Sequence, residues 1–154
     1  MKTLLIISLL LSGQTWISTG MLQIKDPTGT YILKGRIKKN EIWGHSGEIR
    51  VKRLETHRLA LSFFMNKGYP GYESGAFIDT LWYEDQLAKY SPPTDTDCIL
   101  LFVFDETTIE LRQAYQDPHC SCGFGKGVLI SSSFIKQSDE TPIIQDLSLH
   151  GRLQ

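Results

Sequence analysis

The sequence lacks an excess of charge of either sign: 16 Lys and Arg stand against 17 Asp and Glu, a formal net charge of -1. A nucleic-acid binder needs surplus cations to displace phosphate counterions, so that class is set aside. No acidic tail, internal repeat, low-complexity tract or interdomain linker is present. Past Leu11 there is no apolar run of the roughly 20 residues that a membrane span requires. Cysteine is scarce, at 3 residues, and no Gly-x-Ser-x-Gly nucleophile elbow occurs. What remains is a chain of 154 residues, 41% hydrophobic and 10% aromatic. That composition argues against disorder, and the length fits one domain with a sizeable core.

The N-terminus carries an address. Lys2 precedes an apolar run from Leu4 to Leu11 broken only by Ser8, followed by Ser12 and Gly13, which is the arrangement of a secretory signal peptide. Ser18 and Gly20 have the spacing of a cleavage site, which divides a leader, residues 1–20, from a single domain, residues 21–154. No cysteine follows the apolar core to carry a lipid. The expectation is an exported protein, periplasmic or extracellular, with no integral membrane segment in the mature chain.

Export makes the three cysteines informative, because an oxidising compartment favours pairing. Cys98, Cys120 and Cys122 are an odd set, so one thiol stays unpaired within the molecule. A Cys120–Cys122 bridge closes a strained ring. Cys98 bonded to one of the other two closes about 24 residues, worth roughly 3 kcal/mol in the chain-entropy account.

Period-two alternation runs through most of the chain. Strands are expected at Gly29–Gly35, Glu48–Leu54, Arg58–Asn66, Ala76–Tyr83, Cys98–Phe104, Thr108–Tyr115 and Val128–Ile135. In Arg58–Asn66, Leu59, Leu61, Phe63 and Met65 share one face. The segments Arg36–Gly47 and Lys67–Gly75 read as long loops, and Glu84–Tyr90 as one or two helical turns stopped by Ser91-Pro92-Pro93. The residues from Gln137 to Gln154 are read as a mixed tail with a loosely ordered end. About seven strands with at most one short helix imply an all-β antiparallel barrel or sandwich.

Several constellations bear on chemistry. Gly123, Gly125 and Gly127 around Lys126 have the composition of a phosphate loop, yet a strand pattern follows them where such a loop needs a helix. They read better as turn residues entering the last strand. Cys120, Cys122 and His119 are too few and too poorly spaced for a metal, and no cofactor is expected. Cys120 or a serine with His45, His57, His119 or His150 exhausts the nucleophile and base candidates. Asp79 with Glu84 or Asp85 reads as solvated strand ends rather than a glycosidase pair. The basic residues Arg36, Lys38, Lys39, Arg50, Lys52 and Arg53 read as a hairpin's solvated face or as attraction for an acidic partner.

The cysteine opening the apolar run Cys98-Ile99-Leu100-Leu101-Phe102-Val103-Phe104, with Cys122-Gly123-Phe124-Gly125-Lys126-Gly127-Val128 after it, resembles a pattern of small secreted bacterial β-proteins. Some of their relatives are described loosely as lysozyme-inhibitor-like. The likeness spans the second half of the mature chain and implies a barrel-like fold, a Cys98–Cys122 bridge and Cys120 as the spare thiol. The additional Cys120 departs from the pattern. Ser74-Gly75-Ala76-Phe77 only partly echoes the paired loops by which lysozyme inhibitors enter a cleft.

The heaviest functional weight falls on aromatic loops. Tyr69 and Tyr72, with Trp43, the adjacent Ser74, and Phe77 and Trp82 nearby, offer a rigid amphipathic surface that binds at modest entropy cost. Alternatively, Phe77 and Trp82 belong to the core and the tyrosines cap a barrel end. The expectation is a non-enzymatic binding module for a protein or glycan, in one form an inhibitor of an envelope-directed enzyme. A small-ligand carrier with a hollow barrel comes second and a hydrolase third. A filled barrel with exposed Tyr69 and Tyr72 favours the binder.

Overall fold

The computed structural model describes residues 26–115 and 121–144. The expected leader, the spare thiol Cys120, and His119, His150 and the end of the tail lie outside the described residues.

Ten strands run in chain order: β1 Gly29–Leu33, β2 Arg36–Lys38, β3 Glu41–Trp43, β4 Ser46–Glu55, β5 Arg58–Asn66, β6 Ser74–Glu84, β7 Leu87–Tyr90, β8 Cys98–Phe104, β9 Thr108–Tyr115 and β10 Ser132–Ser138. Strands β1 and β4 to β10 form a closed antiparallel barrel in which each pairs with its neighbour in sequence. Pairing of β1 with β10, through Tyr31 opposite Lys136 and Ile32 opposite Ile135, closes the ring and removes the free sheet edges. The remaining pair, β2 and β3, is a separate two-stranded ribbon between the first and second barrel strands. The all-β barrel is therefore observed with eight strands.

Alternation places one side chain in two inside. Along β8, Cys98, Leu100, Phe102 and Phe104 are buried while Ile99, Leu101 and Val103 are half-buried on the outer wall. Leu59, Leu61, Phe63 and Met65 of β5 are all buried, on the face the sequence assigns to them. Phe63 is the centre of this interior, its ring 5.4 to 6.2 Å from those of Phe77, Phe102, Phe124 and Phe134, mostly edge-on. Inward aromatics thus pack on one another and fill the middle of the barrel.

Three expectations are corrected. Glu84–Tyr90 is not helical, and no helix occurs among the described residues. Asp85 and Gln86, both at positive φ, make a two-residue turn of the hand that suits hairpins, and Leu87–Tyr90 pairs with Leu100–Val103 of β8. The ladder offered by β8 outweighs the helical preference of a short polar segment. Arg36–Gly47 is not a loop but the β2–β3 ribbon, turned at Lys39 and Asn40 with positive φ. The last strand begins at Ser132 rather than Val128. Val128 is buried in a turn, its N–H donating to the Gly125 carbonyl, and Phe134 supplies the inward residue of β10 opposite Ile109.

The two ends of the barrel differ. One has only tight connections: residues 56–57, Asp85-Gln86 and residues 105–107. There Tyr31 donates its hydroxyl to the Pro27 carbonyl at 2.9 Å, and burial first, then Asp139, Tyr83 and Asp26, push that phenol well above its ordinary pKa. The other end carries the ribbon, residues 67–73, residues 91–97 and the cysteine loop. The disulfide joins Cys98 at the start of β8 to Cys122, with Cα atoms 5.2 Å apart. It draws Cys122, Phe124 and Val128, all buried, over this end of the barrel.

Candidate functional site

Residues 67–73 turn sharply and lie against the ribbon. Inside the loop, the Tyr72 N–H donates to the Gly68 carbonyl at 2.8 Å and the Lys67 N–H to the Glu73 carbonyl at 3.0 Å. Asn66 locks the turn from below: its Oδ1 accepts from the Gly68 N–H at 2.6 Å and its Nδ2 donates to the Tyr72 carbonyl at 3.1 Å. The Tyr69 N–H then donates to the Ile42 carbonyl at 2.8 Å, adding residue 69 to the edge of β3 beside Trp43.

This backbone docking assembles the aromatic residues. The rings of Trp43 and Tyr69 are 4.5 Å apart and tilted by 39°. Tyr72 meets Tyr69 edge-on at 6.3 Å, and Lys38 Nζ stands 5.2 Å from the Trp43 ring centre. Tyr69 and Tyr72 remain 37% and 47% exposed, so the cluster shows its faces to solvent while its backbone is fixed. Desolvation, then the Glu41 carboxylate and Tyr69, raises the Tyr72 hydroxyl above its usual pKa. The Trp43 indole Nε1 is buried without a hydrogen-bond partner.

Two further contacts lock this group to the cysteine loop. His45 donates from Nε2 to the Gly127 carbonyl at 2.8 Å. Lys67, ion-paired with Glu73, also reaches the Lys126 carbonyl at 3.3 Å. The glycines of the cysteine loop act as turn residues: Gly123 and Gly127 have φ of +76° and +74°, and no helix follows.

Of the expected binding residues, Trp43, Tyr69 and Tyr72 come together, and Ser74 is exposed at the foot of the loop, the first residue of β6 opposite Asn66. Phe77 and Trp82 do not join them. Phe77 packs against the core and stacks on Tyr90 at 3.7 Å. Trp82, 59% exposed, stacks on His57 at the opposite end of the barrel. Ser74-Gly75-Ala76-Phe77 belongs to strand β6, not to a projecting loop. The ribbon that carries Trp43 escaped the sequence reading because its turn, Lys39-Asn40, lacks the glycine of a strong hairpin signal.

The catalytic candidates are dispersed. Among the described residues, neither His45 nor His57 is hydrogen-bonded to a serine or cysteine; His45 holds a carbonyl and His57 faces Trp82. Asp79, expected at a strand end, lies exposed in the middle of β6 opposite Leu61 and accepts from the Thr80 N–H, whereas Glu84, at the end of that strand, accepts from the Trp82 indole. Cys122 is committed to the bridge.

Gly68 is the hinge of the docking. Its φ is +72°, and a Cβ there would lie 2.6 Å from the Ile42 carbonyl oxygen and run into that of Gly44. Gly68→Ala is expected to separate residues 67–73 from the ribbon at a cost of about 1–3 kcal/mol. A loss of the Trp43–Tyr69 coupling in near-ultraviolet circular dichroism, with the far-ultraviolet β signal retained, is the expected observation.

Fold and site together define an up-and-down antiparallel barrel with a filled interior and an aromatic, loop-built surface at one end. The chain matches no family model, no curated protein and no solved structure.

Proposed function

We propose that the chain is an exported binding module that engages a protein or glycan through Trp43, Tyr69 and Tyr72, with Ser74 at the margin. One observation carries this reading: three aromatic rings, two of them well exposed, are fixed by backbone hydrogen bonds at the loop end of a filled barrel. Aromatic side chains held in advance lose little entropy on binding, which is why such clusters concentrate interface energy. The packing around Phe63 supports a surface site over the interior cavity of a carrier.

The Cys98–Cys122 disulfide supports an oxidising, exported compartment, as does the leader-like segment at residues 1–20. The resemblance to lysozyme-inhibitor-like secreted β-proteins supports an envelope-directed enzyme as partner. Residues 67–73, rather than Ser74 to Phe77, form the element that would enter a cleft, since the latter are fixed in β6.

The test is capture from native envelope material and from immobilised glycans, comparing wild type with the Tyr69→Ala/Tyr72→Ala double variant. A partner retained by wild type and lost at least tenfold by the variant is the expected result. Equal recovery of every partner would sink the reading. Both positions are exposed, so the variant keeps its fold.

A further inference from the structure

The face of the ribbon that carries Trp43 also carries cations. In the β2–β3 register Arg36 stands opposite Trp43 and Lys38 opposite Glu41, so these four side chains project to one side, and Lys38 Nζ lies 5.2 Å from the Trp43 ring centre. At the foot of the ribbon, Lys34, Arg36 and Trp43 line a hollow of about 330 Å³ with Gly35, Gly44 and His45, and no carboxylate borders it. That volume is at the low end for a small-ligand site. A Cβ on Gly44 would meet nothing within 4 Å, so the opening is clear, and the bond from His45 to the Gly127 carbonyl fixes one wall.

The positive charge here is unmatched. Lys34, Arg36 and Lys38 are exposed, and none of them makes an ion pair among the described residues. Glu41, the acid that the ribbon carries on this face, acts on the Tyr72 hydroxyl and does not border the hollow. Cations alone would attract any polyanion, but Tyr69 lies 4.5 Å from Trp43 and Tyr72 follows at 6.3 Å, so a run of rings starts at the wall of the hollow. Sugar rings present apolar C–H faces that pack on aromatic rings, while a ring carboxylate projects from the rim to charge-assisted hydrogen bonds with Arg and Lys. An acidic peptide would engage the cations and leave the rings in water. A neutral glycan would use the rings and leave three cations unmatched.

We infer that this face is a site for an acidic polysaccharide, with a sugar carboxylate held in the hollow by Lys34 and Arg36 beside Trp43 and the neighbouring sugar rings laid on Tyr69 and Tyr72. The inference rests on the aromatic cluster being the binding surface, as proposed above, and assigns its partner to one class, a carboxylated glycan. Since the cations are exposed, salt screens the ionic part of binding and leaves the ring contacts.

The experiment is calorimetric titration of the full chain with three probes: oligogalacturonate, its methyl ester, which keeps the rings without the charge, and polyglutamate, which keeps the charge without the rings. Oligogalacturonate is expected to bind about tenfold or more tighter than either control at low salt. Arg36→Gln/Lys38→Gln should weaken it about tenfold at low salt and less at high salt, and Tyr69→Ala/Tyr72→Ala about tenfold at either salt. Lys52→Gln/Lys89→Gln, which removes two exposed cations from the barrel wall, should leave it within about twofold. Polyglutamate or the methyl ester binding as tightly as oligogalacturonate would overturn the inference, as would an unchanged affinity in either site variant. If wild type ignores oligogalacturonate yet captures another partner through Tyr69 and Tyr72, the acidic-glycan assignment falls and the binding-module reading stands.

Discussion

Phe63→Ala is expected to destabilise the protein by about 3–5 kcal/mol, the largest loss from any single substitution in the barrel. Phe63 is fully buried, and its ring touches aromatic rings from β6, β8 and β10 and Phe124 of the cysteine loop. Removing it takes away the transfer free energy of the side chain and leaves a cavity lined by four rings. Three of those rings are carried on hydrogen-bonded strands and the fourth on the disulfide-tethered cysteine loop, so they cannot all collapse into the space. Urea unfolding should show a lower midpoint with an unchanged slope. Phe63→Leu, which keeps most of the volume, should cost clearly less. Equal stability of wild type and Phe63→Ala would mean that the barrel centre is not packed as described.

Opening the Cys98–Cys122 bridge, by reduction or by Cys98→Ala/Cys122→Ala, is expected to cost about 3 kcal/mol, through the chain entropy of a 24-residue separation. The melting temperature should fall by roughly 10–15 °C. The loss concentrates at the loop end. Asp95 accepts from the Cys122 N–H at 3.1 Å and offers its own carbonyl to the Cys98 N–H at 3.2 Å, so both bridge ends meet one residue. Phe124 covers the barrel there so closely that a Cβ on Gly75 would fall inside its ring. Without the bridge, amide exchange across residues 121–128 should quicken well before the barrel unfolds. The contacts of His45 with Gly127 and of Lys67 with Lys126 should go with it, and the aromatic cluster should loosen. Thiol counting in denaturant should give one reactive cysteine in the oxidised protein and three after reduction. Three before reduction would refute the bridge.

The barrel was legible because its signal is local. Alternation in Arg58–Asn66 and Thr108–Tyr115 reports which side chains face inward, and the glycine and proline clusters report where strands end. The failures occurred where a long-range partner decided the outcome. Asp85-Gln86 and Lys39-Asn40 turn through positive φ without glycine, a strain met by the ladders on either side. Val128 alternates as a strand residue should, but the position of β10 is fixed by Phe134 opposite Ile109 and by Lys136, whose ammonium lies over the Tyr31 ring and pairs with Asp139.

The candidate site divides in the same way. Sequence composition singled out Trp43, Tyr69, Tyr72 and Ser74, since aromatic residues among glycines in a long connection are suited to binding rather than to core. It also drew in Trp82 and Phe77, which the barrel separates. By itself the sequence determined an all-β chain with alternating strands, because side-chain alternation and turn residues act within a few positions of one another. Only the tertiary structure decided that the barrel closes and fills, and that the ribbon meets the tyrosine loop. Those outcomes depend on contacts between segments distant in sequence, such as β1 with β10 and Tyr69 with Trp43, whereas alternation and turn residues set only the register within each hairpin.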